Sequence, residues 1–484
     1  MKKLRSAALG VLFCVLLVSA IAGVSRIVER KQSRVKFEPF LDCPEDHDIL
    51  FIGDSLMVNG IFPMELWQDY GIASYNISSY GNTLPVSYWV MENALQYVTP
   101  KLMVIGVKDV EKSYKLSGSS SDVHTALDCY PLTLTKIRAI EDLMNDPNTT
   151  DDSGTPYTTL KWEYYFKLGK YHSRWSELST SDFRPIPTRK RGAEYALGVA
   201  PFKDYTLIDE YQQLEDTYGV GFVYLRKMIE SCQSRGIDVL LVHMPYPAET
   251  VEQEAANAVW NIADEYGVDY IDFVSMDQVV DYATDCYDAH SHLNPSGARK
   301  VTDYLGRYTR EHFAVPDRRS DPHYVPWLAY SEAYMEEKAG YIQRENNLEN
   351  LLMLLHDSDY SLCLSIGADV NLSEQDKLLI QNIAREHIFE EDMFAKWSNN
   401  LFPLEHLGEG LPYLLVVDRA SGTHAEASGV SSDISASFGA VHFDDNALVL
   451  EQGSQVTSIP YTSSGIQAII LDAATNEVIA ERAI

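Results

Sequence analysis

Positive charge is scarce in this chain. Its 484 residues carry 39 Lys and Arg against 70 Asp and Glu, for a formal net charge of −31. Eight of the basic residues and a single Glu fall in the first 36 positions, which leaves 31 basic and 69 acidic side chains elsewhere, a net of −38. A body charged in this way repels nucleic acid and anionic membrane surfaces, so no nucleic-acid partner is expected. Cysteine is scarce as well: of six, Cys14 lies in an apolar run, and Cys43, Cys129, Cys232, Cys286 and Cys363 stand at wide, irregular spacings. The absence of any C-x-x-C pair excludes a zinc ribbon or a dithiol redox motif. One or two disulfides are conceivable in an exported chain, but the preferred expectation is that most of these thiols are small buried hydrophobes. No cofactor is expected and no metal centre either, because Asp288, His290 and His292 lack a fourth ligand in the sequence.

What is present is enough for two folded domains. The hydrophobic content is 45%, and a chain of this length accommodates an α/β domain and a smaller companion. The N-terminus opens Met1-Lys2-Lys3-Leu4-Arg5 and continues into 18 apolar or small residues, Ala7 to Val24. Basic residues before an apolar run of this length predict a single-pass anchor, residues 1–36 with its linker, and an extracytoplasmic body. The alternative is a signal peptide cleaved near Val18-Ser19-Ala20, giving a secreted protein.

Short runs rich in Val and Ile recur at Ile49–Ile52, Ala73–Ile77, Leu102–Val107, Val239–Met244 and Tyr270–Phe273, with helical periodicity between them at Pro85–Val98, Asp216–Gln233 and Val251–Tyr266. Buried parallel strands joined by crossover helices have this pattern, which predicts a three-layer α/β/α sandwich over residues 37–315. Residues of about 113–205 break the alternation and are expected to form a partly helical insertion. In its segment "WEYYFKLGKYHSRW", Trp162, Tyr165 and Phe166 fall at helical spacing and are expected to form a local core, which leaves Tyr164, Tyr171 and Trp175 for a ligand. His172 and Arg174 are expected to tie a loop down. A helical connector is predicted over 316–344, and residues 345–484 are expected to form a separate α+β or mostly β domain, with a turn at Ala474–Asn476.

The stretch "HDILFIGDSLMVNGI", residues 47–61, ends a buried strand abruptly in Gly53-Asp54-Ser55. A serine in this position is commonly a helix cap; to act as a nucleophile it needs a base, a group orienting that base, and donors for an oxyanion. Far downstream, "CYDAHSHLNPSGARKVTDYL" sets Asp288 four residues before His292, ahead of a helix with Asn294 as cap and Pro295 at its first position. Close to a helix N-terminus an imidazole tends to stay neutral and able to take a proton. His243 ends the fourth predicted strand, where such sheets bind ligands, and is a candidate pocket residue.

Gly-Asp-Ser after the first strand, Gly81 after the second, and Asp288…His292-Leu293-Asn294 before the last helix together resemble the SGNH/GDSL hydrolase superfamily. The phrases "YHSRWSEL" and "SHLNPSGARKVTDYLG", with the anchor, resemble its extracytoplasmic branch that accompanies membrane-bound O-acyltransferases, among them the D-alanyl-lipoteichoic acid and alginate O-acetylation proteins. The resemblance covers residues 45–315. It implies Ser55 as nucleophile, His292 as general base, Asp288 as its orienting carboxylate, and the Ser55 and Gly81 N–H groups as oxyanion donors. It further implies an esterase or O-acyltransferase acting on a cell-envelope polysaccharide beside a multi-pass acyltransferase. Two departures stand out. The family's Gly-x-Asn-Asp block here reads Gly106-Val107-Lys108-Asp109, which leaves Lys108 or Asn82 as substitute donors, and the Asp–His spacing is one residue longer than usual. These departures support a second expectation, a catalytically weak glycan-binding or scaffolding component. The C-terminal segments "YSLCLSIGADVNLSEQD" and "GIQAIILDAATNEVIA" faintly resemble the carbohydrate-binding domain of interleukin-like EMT inducers.

Overall fold

The five apolar runs become five strands of one sheet. In the computed structural model, which describes residues 2–43, 47–146, 149–186, 188–276, 279–384, 404, 406–408, 410–429 and 431–484, they are β1 (Ile49–Ile52), β2 (Ser74–Asn76), β3 (Leu102–Gly106), β4 (Asp238–His243) and β5 (Asp269–Asp272). All neighbours pair in parallel, in the order β2-β1-β3-β4-β5. Alternate side chains serve two cores. Ile49, Phe51, Leu102, Val104, Leu240 and Val242 face the helices Ser55–Gly60, Pro63–Tyr70 and Pro295–His312. Leu50, Ile52, Met103, Ile105, Val239 and Leu241 face Leu84–Ala94, Val220–Gln233 and Thr250–Tyr266. Strands covered on both faces have no reason to alternate with polar residues, which is why these runs are continuously apolar.

The first helix, Lys2–Val28, carries a 24-residue span from Arg5 to Val28, in which an 18-residue window reaches a mean hydropathy of 2.6 with none of that window buried. It is long and apolar enough to cross a bilayer, as an anchor or as a signal sequence. The chain then docks on the body. The Val28 carbonyl accepts a hydrogen bond from Arg174 Nη1 at 2.6 Å, and the next helix, Gln32–Asp42, puts Phe37 and Phe40 into the core.

The insertion is helical in six short pieces between Ser120 and Phe183 among the described residues, and its aromatics depart in part from the expectation: Tyr165 packs on the core as expected, but others do not. Trp162, Phe166 and Trp175 are largely exposed, whereas Tyr164 and Tyr171 are buried. The reason is the face that Tyr157 and Tyr164, seven residues apart, turn inward: Tyr164 stacks on His124 at 3.9 Å, and the Tyr171 hydroxyl donates to Asp128 at 2.8 Å. Arg174 does tie the insertion down, through Val28 and Asp182.

After the helix Pro326–Arg344 comes a domain with nine further strands among the described residues. Strands β6 (Tyr360–Ile366), β7 (Tyr413–Asp418), β8 (Thr423–Ser428), β13 (Ile466–Asp472) and β14 (Val478–Ala483) form an antiparallel sheet in the order β14-β13-β6-β7-β8. Strands β9 (Ser431–Ala436), β10 (Gly439–Asp444), β11 (Ala447–Gln452) and β12 (Gln455–Pro460) form a four-stranded meander. The helices Leu348–Leu355 and Glu374–Ala384 cover one face of the five-stranded sheet, and the meander packs on the other through Val441, Phe443, Leu448 and Leu450. Of the cysteines, Cys232, Cys286 and Cys363 are buried, and Cys129 is half-buried.

Candidate active site

In a parallel sheet every strand ends on the same side, and the loops that leave those ends gather there. Ser55 follows β1, Gly81 and Asn82 follow β2, Lys108 follows β3, His243 closes β4, and Asp288 and His292 follow β5. The order of the sheet reverses between β1 and β3, so Ser55 stands at the topological switch point.

Ser55 is the first residue of its helix. Asp54 is the cap, its carboxylate accepting from the Leu56 N–H at 3.2 Å, while the Ser55 N–H is one of the donors that a helix start leaves without an intrahelical acceptor. The Gly53 carbonyl takes hydrogen bonds from the Ser79 N–H at 3.2 Å and from Asn82 Nδ2 at 3.3 Å, which laces the Gly81 loop to the serine turn. Gly81 lies at φ +65°, a backbone conformation that favours glycine, and a Cβ there would stand 2.5 Å from Asp122 Oδ2 and have to displace that side chain.

The segment before the last helix is held equally firmly. Asn294 caps Pro295–His312 by accepting from the Ser296 and Gly297 N–H groups, while its amide donates to the carbonyls of Gly198, Thr284 and Cys286. Just upstream, Asp288 Oδ1 accepts from the N–H groups of His290, Ser291 and His292 at 2.8, 2.7 and 3.3 Å. That turn absorbs the extra residue of the Asp–His spacing. Asp288 Oδ2 meets His292 Nδ1 at 2.6 Å, and His292 Nε2 meets Ser55 Oγ at 2.9 Å, across 237 residues of sequence. Ser291 Oγ also lies 3.0 Å from His292 Nδ1. Burial pushes the Asp288 carboxyl up, but the His292 ring and the His290 and Ser291 N–H groups outweigh it and hold its pKa below the ordinary value.

Lys108 Nζ lies 3.7 Å from Asp54 Oδ2 and 5.1 Å from the centre of the Tyr246 ring. Burial raises the Asp54 pKa, with Lys108 opposing. Burial lowers that of Lys108, but the carboxylates of Asp54, Asp109 and Glu252 reverse the effect and leave it raised. The lysine thus stays charged next to the cap of the serine helix. Asn82 spends an amide hydrogen on Gly53, so of the two substitute donors each has a structural partner.

His243 is not joined to this chain of hydrogen bonds. It is 2% exposed, its Nδ1 sits 2.8 Å from Asp272 Oδ1 on the neighbouring strand, and its ring meets Tyr246 edge-on. Asp285, next to the catalytic candidates in sequence, is fully buried and bonds Lys300 and Ser296. As for metal, Asp288 is committed to its turn and to His292, and His290 is exposed. Among the described residues the convergent acidic groups lie elsewhere, at Glu65, Asp357 and Asp359 and at Asp109, Glu111 and Glu252.

Sequence reasoning missed the Asp54–Lys108 pair, the His243–Asp272 pair and the Tyr246 ring between them. A signal was there for one: Asp272 and His243 each end an apolar run, and adjacent strands of a parallel sheet bring such ends together. No family model and no curated protein matches the chain.

Proposed function

We propose that the protein is an SGNH-type serine esterase or O-acyltransferase that works through an acyl-Ser55 intermediate. The observation that carries this is the unbroken Asp288–His292–Ser55 chain at 2.6 and 2.9 Å. Ser55 Oγ attacks the ester carbonyl of the donor and passes its proton to His292 Nε2. The carbonyl electrons move onto oxygen, facing the free Ser55 N–H, and Asp288 balances the charge gained by the imidazole. When the tetrahedral adduct collapses, the leaving alkoxide takes the proton from His292. In the second half, water or a sugar hydroxyl gives its proton to His292, attacks the acyl carbon, and Ser55 is released. Lys108 opposes the burial that raises the Asp54 pKa, and so supports the cap that fixes Ser55.

The substrate is an O-acylated, O-acetyl-type polysaccharide of the cell envelope, and the N-terminal helix anchors the body on the extracytoplasmic side beside a multi-pass membrane O-acyltransferase. Support for this part is the single apolar N-terminal helix together with the segments that resemble O-acylation proteins. The test uses the full chain in detergent, because residues 28–42 pack on the body. Wild type is expected to turn over p-nitrophenyl acetate, and Ser55→Ala and His292→Ala to be inactive with unchanged circular dichroism. An inactive, folded wild type favours a glycan-binding scaffold instead. Activity in Ser55→Ala moves the nucleophile elsewhere.

A further inference from the structure

The insertion grips the N-terminal helix just where that helix leaves its apolar run. Lys167 Nζ lies 2.6 Å from Glu29, Arg174 Nη1 donates to the Val28 carbonyl at 2.6 Å, and Lys31 Nζ lies 3.7 Å from Asp182. Each gripping residue of the insertion has an exposed aromatic as its chain neighbour: Phe166 beside Lys167, Trp175 beside Arg174, and Phe183 beside Asp182. Adjacent Cα atoms are about 3.8 Å apart, so all three aromatics stand close to the exit of the helix. Trp162 lies one turn before Phe166, its carbonyl accepting the Phe166 N–H at 2.9 Å, and Ile186 follows Phe183. The five side chains are between 52% and 81% exposed. Singly exposed apolar residues are ordinary, but a group of them beside one feature marks a contact surface.

Their depth follows from the helix. At a rise of about 1.5 Å per residue, the apolar run Ala7 to Val24 is about 27 Å long, which nearly matches a bilayer core. Burial in the body begins about a turn later, at Val28 and Glu29, so the contacts of the insertion fall at the level of the headgroups. Aromatic rings collect at that level, with the apolar body of the ring among acyl chains and polar groups in the wet layer. The local charge permits it too. Lys161, Lys167, Lys170, Arg174 and Arg184 outnumber Glu163, Glu177 and Asp182 here, in a molecule of net charge −31, so lipid does not repel this face as it repels the rest of the body.

We propose that Trp162, Phe166, Trp175, Phe183 and Ile186 form a membrane-interface surface, seated in the headgroup layer of the bilayer that the N-terminal helix crosses. The inference rests on that helix being a retained anchor and is independent of the chemistry at Ser55. One crossing helix leaves a body free to tilt; a second contact on the same bilayer fixes it.

The test uses the full chain reconstituted into phosphatidylcholine vesicles, with and without phosphatidylcholine brominated in the upper part of its acyl chains, which quenches Trp on contact. The first 36 residues contain no Trp, so quenching reports on the body. Wild type is expected to lose part of its Trp emission to the brominated lipid, and Trp162→Phe, Trp175→Phe to abolish that loss. Phe166→Ser, Phe183→Ser keeps both indoles and should lessen the loss by about 2-fold or more, since interfacial binding scales with buried apolar area. Alkaline carbonate washing checks the anchor separately. If the chain stays in the vesicles but bromine leaves its emission unchanged, or the Trp variant is quenched as strongly as wild type, the surface is overturned and these rings are left for a protein partner. Release of the wild-type chain by carbonate would overturn the anchor, and the surface falls with it.

Discussion

Asp288 does two jobs with its two oxygens: one gathers three backbone N–H groups, the other holds His292. Asp288→Asn keeps most of the turn but lets the ring take the wrong tautomer, so kcat for ester turnover should fall about 10³–10⁴-fold with little change in KM. Steady-state kinetics check this. The depressed folded pKa of Asp288 also sets a pH signature. Its stabilisation is complete above the ordinary carboxylate value of about 3.9 and is lost as pH falls through the lower folded value. The melting-temperature gap between wild type and Asp288→Asn should therefore be flat at neutral pH and close in acid. Both residues were visible in the sequence by type and by position before a helix. Their hydrogen bond was not, because it depends on a turn whose shape comes from three N–H groups converging on one oxygen. Lys108 was visible only as a departure from a motif, and its partner Asp54 follows another strand.

Elements differ in how plainly their sequences declare them. Strands β1 to β5 were legible within a residue or so, since burial on both faces leaves unbroken apolar runs. Strands β8 and β9, "THAEAS" and "SSDISA", have no fully buried residue and carry small polar side chains, so nothing in them marks a strand apart from pairing with β7 and β10. The cap of Pro295–His312 was legible at Asn294, but its three amide donations to distant carbonyls were not. Asn294→Ala should cost about 2–3 kcal/mol, the cap plus the orphaned carbonyls, and Asn294→Asp should recover the cap share alone. Urea unfolding measures both. Helix Gln32–Asp42 contains an opposite case. Lys36 is buried, its ammonium lacks a hydrogen-bond partner, and burial pulls its pKa down to about 8 against the weak pull of Glu194 at 4.0 Å. The unfolded chain binds the extra proton between that value and the ordinary 10.5, so this group makes stability rise with pH across the window. Lys36→Met should add about 1–2 kcal/mol at neutral pH and flatten that slope.

At the scale of the whole molecule, the α/β domain and the C-terminal domain meet through charges. Ser296 Oγ lies 2.6 Å from His356 Nδ1, Arg299 pairs with Asp357 at 3.2 Å, and Lys338 on the connecting helix reaches Glu65 on one side and Asp357 and Asp359 on the other. Those carboxylates hold the Lys338 pKa well above its ordinary value in spite of burial. Removing the cation strands buried carboxylates in both domains, so Lys338→Met should cost about 3–5 kcal/mol and split one calorimetric transition into two. None of this junction was legible, because it joins single residues from three segments, whereas the parallel sheet and the change to antiparallel strands in the C-terminal region were.

Acyl transfer at this centre requires that His292 activate Ser55. Exposure of the folded full chain to a serine-directed fluorophosphonate, followed by mass spectrometry of the digested protein, asks this directly. The predicted result is one adduct, on Ser55, whose formation disappears in His292→Ala. No adduct on Ser55 of natively folded protein, or labelling that His292→Ala leaves unchanged, would contradict it.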